Sequence, residues 1–205
     1  RQLERLEQLS EALLEAPPDA STLAELLQKH VAQMFPSGRV AIWLANGGFL
    51  HRHPQDWEVD IEPAWQWLRQ EKSTTAALAS EALPWATVEK EHNPAILAPI
   101  QGAVDEDMIG CIYLELRSLA QPWDREALSS LFPALNSLAA QMASTLYQAQ
   151  VYSETLEYQA AMQELEFASR IQASFLPNEV PILPGWELAV TLLPARNMSG
   201  DYFDF

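Results

Sequence analysis

The feature that most constrains this chain is a stripe of apolar and small residues spaced alternately three and four positions apart. This spacing places the side chains on one narrow face of an α-helix, and a narrow face repeated over four heptads is typical of a coiled coil. The stripe therefore predicts an exit helix and coiled-coil linker over residues 123–176, paired in parallel with a second copy of the chain. An alternative stays open for residues 124–145, which could instead dock on their own domain. The stripe consists of Leu128, Leu131, Leu135, Leu138, Met142, Thr145, Ala149, Tyr152 and Leu156.

Two interruptions are expected in this helix. Asp124 is the predicted N-cap, and Pro133 predicts a kink or a restart near residue 132 because proline cannot continue a helical hydrogen-bond ladder. Between Leu156 and Leu165 the stripe changes phase. A change of phase lets the two halves of a coiled coil repack at small cost, so we expect a switch at this position. The new face follows Tyr158, Leu165, Ala168, Gln172 and Phe175.

Charge and composition exclude several classes of partner. The 12 basic and 28 acidic residues give a net charge of −16, and such a surface repels nucleic acid and anionic membranes. No apolar run approaches the roughly 18 residues of a membrane span, and no signal peptide opens the sequence. The one cysteine, Cys111, fits a reducing compartment. We therefore expect a cytoplasmic protein. Because no initiator Met is present, we also expect the sequence to be part of a longer one.

The chain before the exit helix alternates helical and strand patterns. A linker helix is predicted over residues 1–16 and a second helix from a cap at Ser21 or Thr22 to Phe35. Strands 39–45 and 48–53 flank Asn46-Gly47, which predicts a hairpin with positive φ at both turn positions. A helix over 61–70 and strands over "AILAPIQ" and "MIGCIYLEL" follow, with Pro99 at an edge or a bulge. The predicted fold class is α+β, an antiparallel sheet flanked by helices.

This order resembles a GAF domain. The similarity rests on the two paired strands, on "LAPIQ" followed by "MIGCIYLEL", and on Pro122-Trp123-Asp124 at the start of the exit helix. It covers roughly residues 17–145, with the sensor domain itself placed at 17–122. GAF domains often hold a small molecule between the sheet and the segment that joins the hairpin to the last two strands. In this chain that segment is rich in aromatic residues. The resemblance therefore implies a ligand pocket formed by Trp43, His51, Trp57, Trp65, Trp85 and His92.

The sequence does not identify a ligand for this pocket. The signature of cyclic-nucleotide GAF domains is missing, and Cys111 is followed by Ile112 rather than by the histidine usual in bilin attachment. His51 and His53 point to one side of a strand, so they are also candidate metal ligands. Two other interpretations stay open. The aromatic residues could be ordinary core, and the sensor could respond to protein contact with no small ligand at all.

The last 40 residues carry a second resemblance, to the opening of SpoIIE/RsbU-like metal-dependent (PPM-type) serine/threonine phosphatases. The matching residues, in order, are Ile171-Gln172, Leu176-Pro177, Pro194-Ala195 and Gly200-Asp201-Tyr202. Phe175 stands where a leucine is usual, and Asn197-Met198-Ser199 precedes the glycine. The resemblance makes Asp201 the first metal ligand, because Mg²⁺ and Mn²⁺ prefer carboxylate oxygens. Asp204 is closer to an ordinary strand-end acid.

These resemblances imply the regulatory and dimerisation region of a phosphatase that depends on manganese or magnesium. Residues 177–205 would be only the start of its catalytic domain, so no catalytic site is complete here and the fragment itself is expected to be inactive. The implied substrate is a phosphorylated STAS-type anti-sigma-factor antagonist of a partner-switching pathway, and the implied assembly is a homodimer through the 123–176 helix. The alternative is a GAF ligand-binding or dimerisation module of a non-phosphatase signalling protein.

Overall fold

The computed structural model describes residues 8, 9, 12, 20–35, 38–86, 92–102, 107–117, 123–177, 179–193, 199–201 and 203–205. The chain divides into two compact units, Arg1–Gln150 and Val151–Phe205. The predicted linker helix at 1–16 lies almost wholly outside the described residues. The described helices are α1 (Ala20–Met34), α2 (Glu62–Glu71), α3 (Arg125–Ser129) and α4 (Phe132–Phe175), and the strands are β1 (Gly38–Leu44), β2 (Gly48–His53), β3 (Thr75–Ala77), β4 (Ala95–Gln101) and β5 (Met108–Leu116).

The first unit is built on a five-stranded sheet in the order β2-β1-β5-β4-β3, with every pair of neighbours antiparallel. The predicted α+β class with an antiparallel sheet is therefore confirmed. Four of the strands were predicted from their apolar patterns. Strand β3 was not, because its three residues are too few to show the two-residue alternation of a strand.

The hairpin between β1 and β2 is confirmed, but its turn differs from the predicted one. The turn spans residues 45–47, and the amide of Gly47 donates to the carbonyl of Leu44 at 3.2 Å. Positive φ occurs at Gly48, at +75°, and not at Asn46 or Gly47. A three-residue loop followed by a left-handed glycine is a common alternative to the two-residue turn. The prediction of Ser21 or Thr22 as a helix cap is also wrong, since both residues lie inside α1.

Apolar side chains cover both faces of the sheet. One face packs on α1, α3 and the first part of α4, and its core includes Leu27, Ile42, Ile112 and Leu138. The other face packs on α2 and on the loops around it, through the aromatic side chains described below. Alternating residues of β1 and β5 supply the two layers, as expected for a sheet buried on both sides.

Two residues show how closely the strands approach. A Cβ atom on Gly110 would lie 2.2 Å from the carbonyl oxygen of Trp43, so only glycine fits at this position of β5 beside β1. Pro99 lies in β4 opposite Cys111, beyond the residues that β3 pairs with, and the register shifts just after it between Ile100 and Gln101. The expected edge or bulge at this proline is therefore present.

The exit helix starts as predicted. The carboxylate of Asp124 accepts a hydrogen bond from the amide of Ala127 at 2.7 Å, and α3 ends before α4 restarts at Phe132. The apolar residues of this part are buried in the first unit rather than free for a partner helix: Leu128, Leu131, Leu135, Leu138 and Met142. For residues 124–145 the docking alternative therefore holds.

The second unit consists of the rest of α4 and the residues after it. The helix is continuous to Phe175, so the change of phase between Leu156 and Leu165 involves only side chains and not the backbone. In the described stretches after Phe175, namely 176–177, 179–193, 199–201 and 203–205, no strand is present. The motif residues 194–198 and 202 lie outside the described part of the chain. Nor does any helix in the described residues combine the length and the apolar character that a membrane span requires.

Candidate functional site

The four tryptophans of the predicted pocket lie together on the α2 face of the sheet. Trp43 contacts Trp65, with ring centroids 5.1 Å apart, and Trp57 stacks on Tyr113 at 5.8 Å. Trp85 contacts the same Tyr113 edge-on at 5.8 Å. Trp57, Trp65 and Trp85 are buried. We call this cluster, completed by Tyr113 and Cys111, the aromatic layer. Its rings pack against one another at ordinary van der Waals spacing, so the arrangement is that of a core.

The two titratable groups of the aromatic layer are held in their neutral forms. Burial raises the pKa of the Cys111 thiol to about 12, which leaves no reactive thiolate near neutral pH. Burial, followed by the charge of Glu115, raises the pKa of Tyr113. The Tyr113 hydroxyl donates to the carboxylate of Glu115 at 3.2 Å. Neither residue is suited to nucleophilic or acid–base chemistry at this position.

Two arginines close the β1–β2 end of the aromatic layer. The Arg39 guanidinium lies 5.9 Å from the centre of the Trp57 ring and 3.8 Å from the carboxylate of Glu115. Arg52 donates to the backbone carbonyl of Trp57 at 3.3 Å. These cations therefore hold the Trp57 segment against the sheet. The Nε of Arg39 is buried and has no hydrogen-bond partner among the described residues.

The structure does not bring His51 into the aromatic layer. His51 is paired with Ile42, and directly opposite residues of an antiparallel pair share one face. Ile42 belongs to the core on the other side of the sheet, which packs on α1 and α4. His51 is buried there, and burial followed by the charge of His53 lowers its pKa to about 4. Its Nε2 has no partner in the described structure.

His92 also lies outside the aromatic layer and has a connecting role. Its Nε2 lies 2.6 Å from the carbonyl oxygen of Glu81, and its Nδ1 lies 2.8 Å from the carbonyl oxygen of Asn93. The carboxylate of Glu81 accepts from the amide of Leu78 at 2.9 Å and from the guanidinium of Arg125. This network ties the loop after β3 to the start of α3. His92 is thus a structural residue in this conformation, with a backbone carbonyl oxygen beside each ring nitrogen.

An open cleft of about 520 Å³ borders the aromatic layer at the end of α2. Trp65 and Met108 connect it to the layer, and its rim carries both signs of charge: Arg69, Lys72 and Asp107. Lys72 has a left-handed backbone, φ +53°, and its amide closes α2 by donating to Leu68. None of the six predicted pocket residues except Trp65 lines this cleft.

The second half of α4 carries a row of exposed apolar side chains. The residues predicted for the face after the phase change include Tyr158, Leu165 and Phe175, all of them exposed. Exposed residues of the same helix beyond those three are Tyr147, Val151, Tyr152, Leu156, Phe167 and Ile171. Exposed apolar surface of this extent on one helix is typical of an interaction surface.

Asp201 is exposed, and its amide donates to the hydroxyl of Ser199 at 3.1 Å. The described residues contain no group of three or more His, Cys, Asp or Glu side chains that could hold a metal ion. Asp201 supplies one oxygen of the kind that Mg²⁺ and Mn²⁺ prefer, but one carboxylate is not a metal site. Within the described part of the chain, His51 and His53 likewise gather no third ligand.

The fold of the first unit is found in several solved structures. Free methionine-R-sulfoxide reductase from Neisseria meningitidis, solved in complex with its substrate, is 16% identical over 74% of this chain and 91% of that chain, with a TM-score of 0.54. Residues 122 to 287 of a methyl-accepting chemotaxis protein are 12% identical, covering 70% and 98%, with a TM-score of 0.52. The GAF domain of an Acinetobacter phosphoenolpyruvate-protein phosphotransferase is 16% identical, covering 73% and 95%, with a TM-score of 0.51.

The first unit therefore has the GAF fold, as its element order predicted. At these identities the likeness concerns the fold alone. No family model matches the sequence, and no curated protein sequence matches it significantly.

Several residues of the site were missed by sequence reasoning. The alternation of Arg39, Ala41 and Trp43 along β1 could have placed Arg39 on the aromatic face, because such residues share one side of a strand. The contact of Tyr113 with Trp57 and Trp85 depends on the strand order, which a sequence pattern does not contain. The contact between Gln172 and Ser199, 27 positions apart, gave no signal in the sequence.

Proposed function

We propose that this chain is the sensor and signalling-helix region of a metal-dependent serine/threonine protein phosphatase of the SpoIIE/RsbU-like type. One observation carries the proposal: the ordered motif from Ile171-Gln172 to Gly200-Asp201 stands at the end of a helix that continues for 44 residues from a GAF fold. The support comes from this sequence and its position on α4, and not from the structural neighbours, which belong to other classes of protein.

The exposed face of α4 supports a homodimer as the working assembly. Val151, Tyr158 and Leu165 stand seven positions apart, and Thr155 and Met162 fall between them at the intervening heptad positions. Such a seam is self-complementary in a parallel pair, since each apolar residue meets its own copy. An isolated helix with this many exposed apolar groups is marginal in water, and pairing would remove them from solvent. A second copy of this chain is therefore the proposed occupant of the face.

The packed aromatic layer favours a sensor that responds to protein contact. A planar ligand among these rings would have to displace tryptophans that are already buried against Tyr113 and against each other. Contact on the outside of the GAF-fold unit meets no such obstacle, and α3 and α4 pack directly on its sheet. A signal received there would reach the phosphatase by changing how the 146–176 helix pairs.

In the intact enzyme that the resemblance implies, Asp201 would contribute one ligand to a Mn²⁺ or Mg²⁺ site, and the other carboxylates would lie beyond Phe205. Such metals activate water for attack at phosphorus. The proposed substrate is a phosphoserine or phosphothreonine protein, specifically a phosphorylated STAS-type anti-sigma-factor antagonist. The chain of 205 residues would not hydrolyse it alone.

The test is to express the natural polypeptide past Phe205 and to assay hydrolysis of a phosphoserine substrate with Mn²⁺ and after chelation by EDTA. We expect Mn²⁺-dependent hydrolysis, a loss of at least 100-fold in Asp201→Asn, and less than a threefold change in the control Asp204→Asn. A sequence after Phe205 that encodes another signalling module, or a polypeptide that stays inactive with Mn²⁺, would contradict the proposal and support the non-phosphatase alternative.

A further inference from the structure

The last turns of α4 hold a distant part of the chain through one side chain. The Gln172 Nε2 donates to the carbonyl oxygen of Ser199 at 2.6 Å, and the amide of Ser199 donates to Gln172 Oε1 at 3.1 Å. Both polar atoms of the side chain are thus used by a single residue. Gln172 and Ser199 are partly buried, whereas most of the surrounding helix is exposed. We call this two-bond contact the Gln172 clasp.

The chemistry of the clasp is specific to a primary carboxamide. Glutamine presents a donor and an acceptor in one plane, so it pairs with a peptide group much as a neighbouring strand would. Glutamate keeps the acceptor, lacks the donor, and places negative charge near a carbonyl oxygen. Asparagine keeps both groups on a side chain one methylene shorter. The clasp therefore makes a prediction that distinguishes these three side chains.

The clasp sets the position of Asp201. Ser199, held by Gln172, in turn accepts the amide of Asp201 with its hydroxyl, at 3.1 Å. Two hydrogen bonds from the helix and one turn-forming bond thus connect α4 to the proposed metal ligand. We propose that Gln172 is a positioning residue, which couples the rotation of α4 to the placement of Asp201. The functional part of this inference rests on the proposed phosphatase.

The position of Gln172 on the helix explains why pairing would control it. Gln172 follows Tyr158 and Leu165 at intervals of seven, so it belongs to the face used after the phase change. When two helices pair through that face, Gln172 lies in their interface. When they pair by continuing the earlier face of Tyr152 and Leu156, Gln172 lies outside the interface and is free to hold Ser199. The two modes of pairing therefore compete for one side chain.

The first experiment measures amide hydrogen exchange by NMR in the 205-residue chain. We expect Gln172→Ala to speed exchange of the Ser199 amide about tenfold, since a lost hydrogen bond of roughly 1.4 kcal/mol corresponds to a factor of ten. Gln172→Glu keeps the acceptor for this amide but loses the second bond, and Gln172→Asn keeps both groups on a shorter side chain, so both variants should lie between wild type and Gln172→Ala. The control Glu164→Ala truncates a side chain of the same length at an exposed position of α4 outside both helix faces. An unchanged Ser199 amide in Gln172→Ala, or an equal change in the control, would overturn the clasp.

The second experiment uses the longer polypeptide and separates kcat from KM for a phosphoserine protein. A positioning role predicts that Gln172→Ala lowers kcat at least tenfold with KM within twofold, while Glu164→Ala changes neither. An effect on exchange without one on kcat would refute the positioning role and leave the phosphatase standing. Absence of any phosphatase activity would remove the proposed function, and with it the role assigned to the clasp. The exchange data would still decide whether the clasp exists.

Discussion

The two halves of α4 bear similar apolar residues in opposite surroundings. Leu138, in the first half, is 1% exposed and lies in the core between α4 and the sheet. Leu156, in the second half, is 47% exposed. Both leucines belong to the same three-four stripe of the sequence. The pattern therefore shows that a face is apolar, and only the structure shows what covers it.

This difference in burial indicates that the two halves of α4 have different roles. The first half closes the GAF-fold core, so its residues are committed to folding. The second half has no described apolar cover, and its surface remains available to a second copy. A helix that is fixed at one end and free at the other is a suitable element for carrying a change of packing along the chain.

The largest expected effect comes from truncating the same residue type in each half. Leu138→Ala should lower the free energy of unfolding by about 2–5 kcal/mol, because it leaves a cavity in a packed core. Leu156→Ala should change it by less than about 0.5 kcal/mol, as at an exposed site. Urea unfolding at low protein concentration, followed by tryptophan fluorescence, measures both. Similar losses in the two variants would mean that the second half is also part of a core.

Sequence patterns predicted the parts of the fold that are local. The Asp124 cap, the restart near Pro133, the hairpin around residues 45–47 and both long strands all follow from neighbours in the chain. They did not predict which face of the sheet receives a given residue. His51 was grouped with the tryptophans because it is near them in sequence, and pairing with Ile42 places it on the other face.

The site was harder to predict than the fold because its contacts join distant residues. The grouping of Trp43, Trp57, Trp65 and Trp85 was anticipated as one cluster. The GAF resemblance was enough to group these four tryptophans. Whether their rings line a cavity or fill it depends on side-chain packing, which the sequence does not show. Here Tyr113 and Cys111 complete a packed layer.

The second prediction tests what covers the exposed half. Tyr158→Lys combined with Leu165→Lys should raise the dissociation constant of the proposed dimer at least 100-fold, because two lysines would enter the apolar seam of Val151, Tyr158 and Leu165. Sedimentation-velocity centrifugation over a range of concentrations measures this constant. Glu157→Lys is the control, since it adds a lysine outside both faces of the stripe. A wild-type chain that stays monomeric at about 100 µM, or a control that dissociates equally, would contradict the dimer.

The third prediction concerns acid and the packed half of the molecule. The pKa of His51 is about 4 in the folded chain and about 6.5 when unfolded, so protonation favours unfolding. The stabilising contribution of neutral His51 is present above pH 6.5 and is lost as the pH falls from 6.5 toward 4. After allowance for solvent screening we expect a loss of about 1–2 kcal/mol. Urea unfolding at pH 7 and pH 5 should show this loss in wild type.

Replacing His51 separates this term from general acid effects. His51→Leu has no proton to bind at that position, so its stability should fall less between pH 7 and pH 5 than that of wild type. His53 raises the cost of a second charge nearby, and His53→Leu should therefore retain an acid-sensitive loss of smaller size. An equal pH dependence in His51→Leu and wild type would show that His51 is not the titrating group.

The smallest expected effect concerns charge. It tests whether ion pairs, rather than burial of apolar side chains, distinguish the first unit from the second. Arg125 pairs with Glu81 in the first unit, and Arg170 pairs with Glu166 in the second. Both pairs are largely exposed, and exposed pairs are worth less than about 1 kcal/mol.

A double-mutant cycle with Glu81→Gln and Arg125→Gln, and another with Glu166→Gln and Arg170→Gln, should each give a coupling of about 0.2–0.5 kcal/mol at low salt. The Leu78 amide, followed by Arg125, lowers the pKa of Glu81, so the first coupling should persist above the ordinary carboxyl pKa and vanish as the pH falls through the lowered value. Couplings that differ by more than about 1 kcal/mol would show that ion pairing also distinguishes the two units.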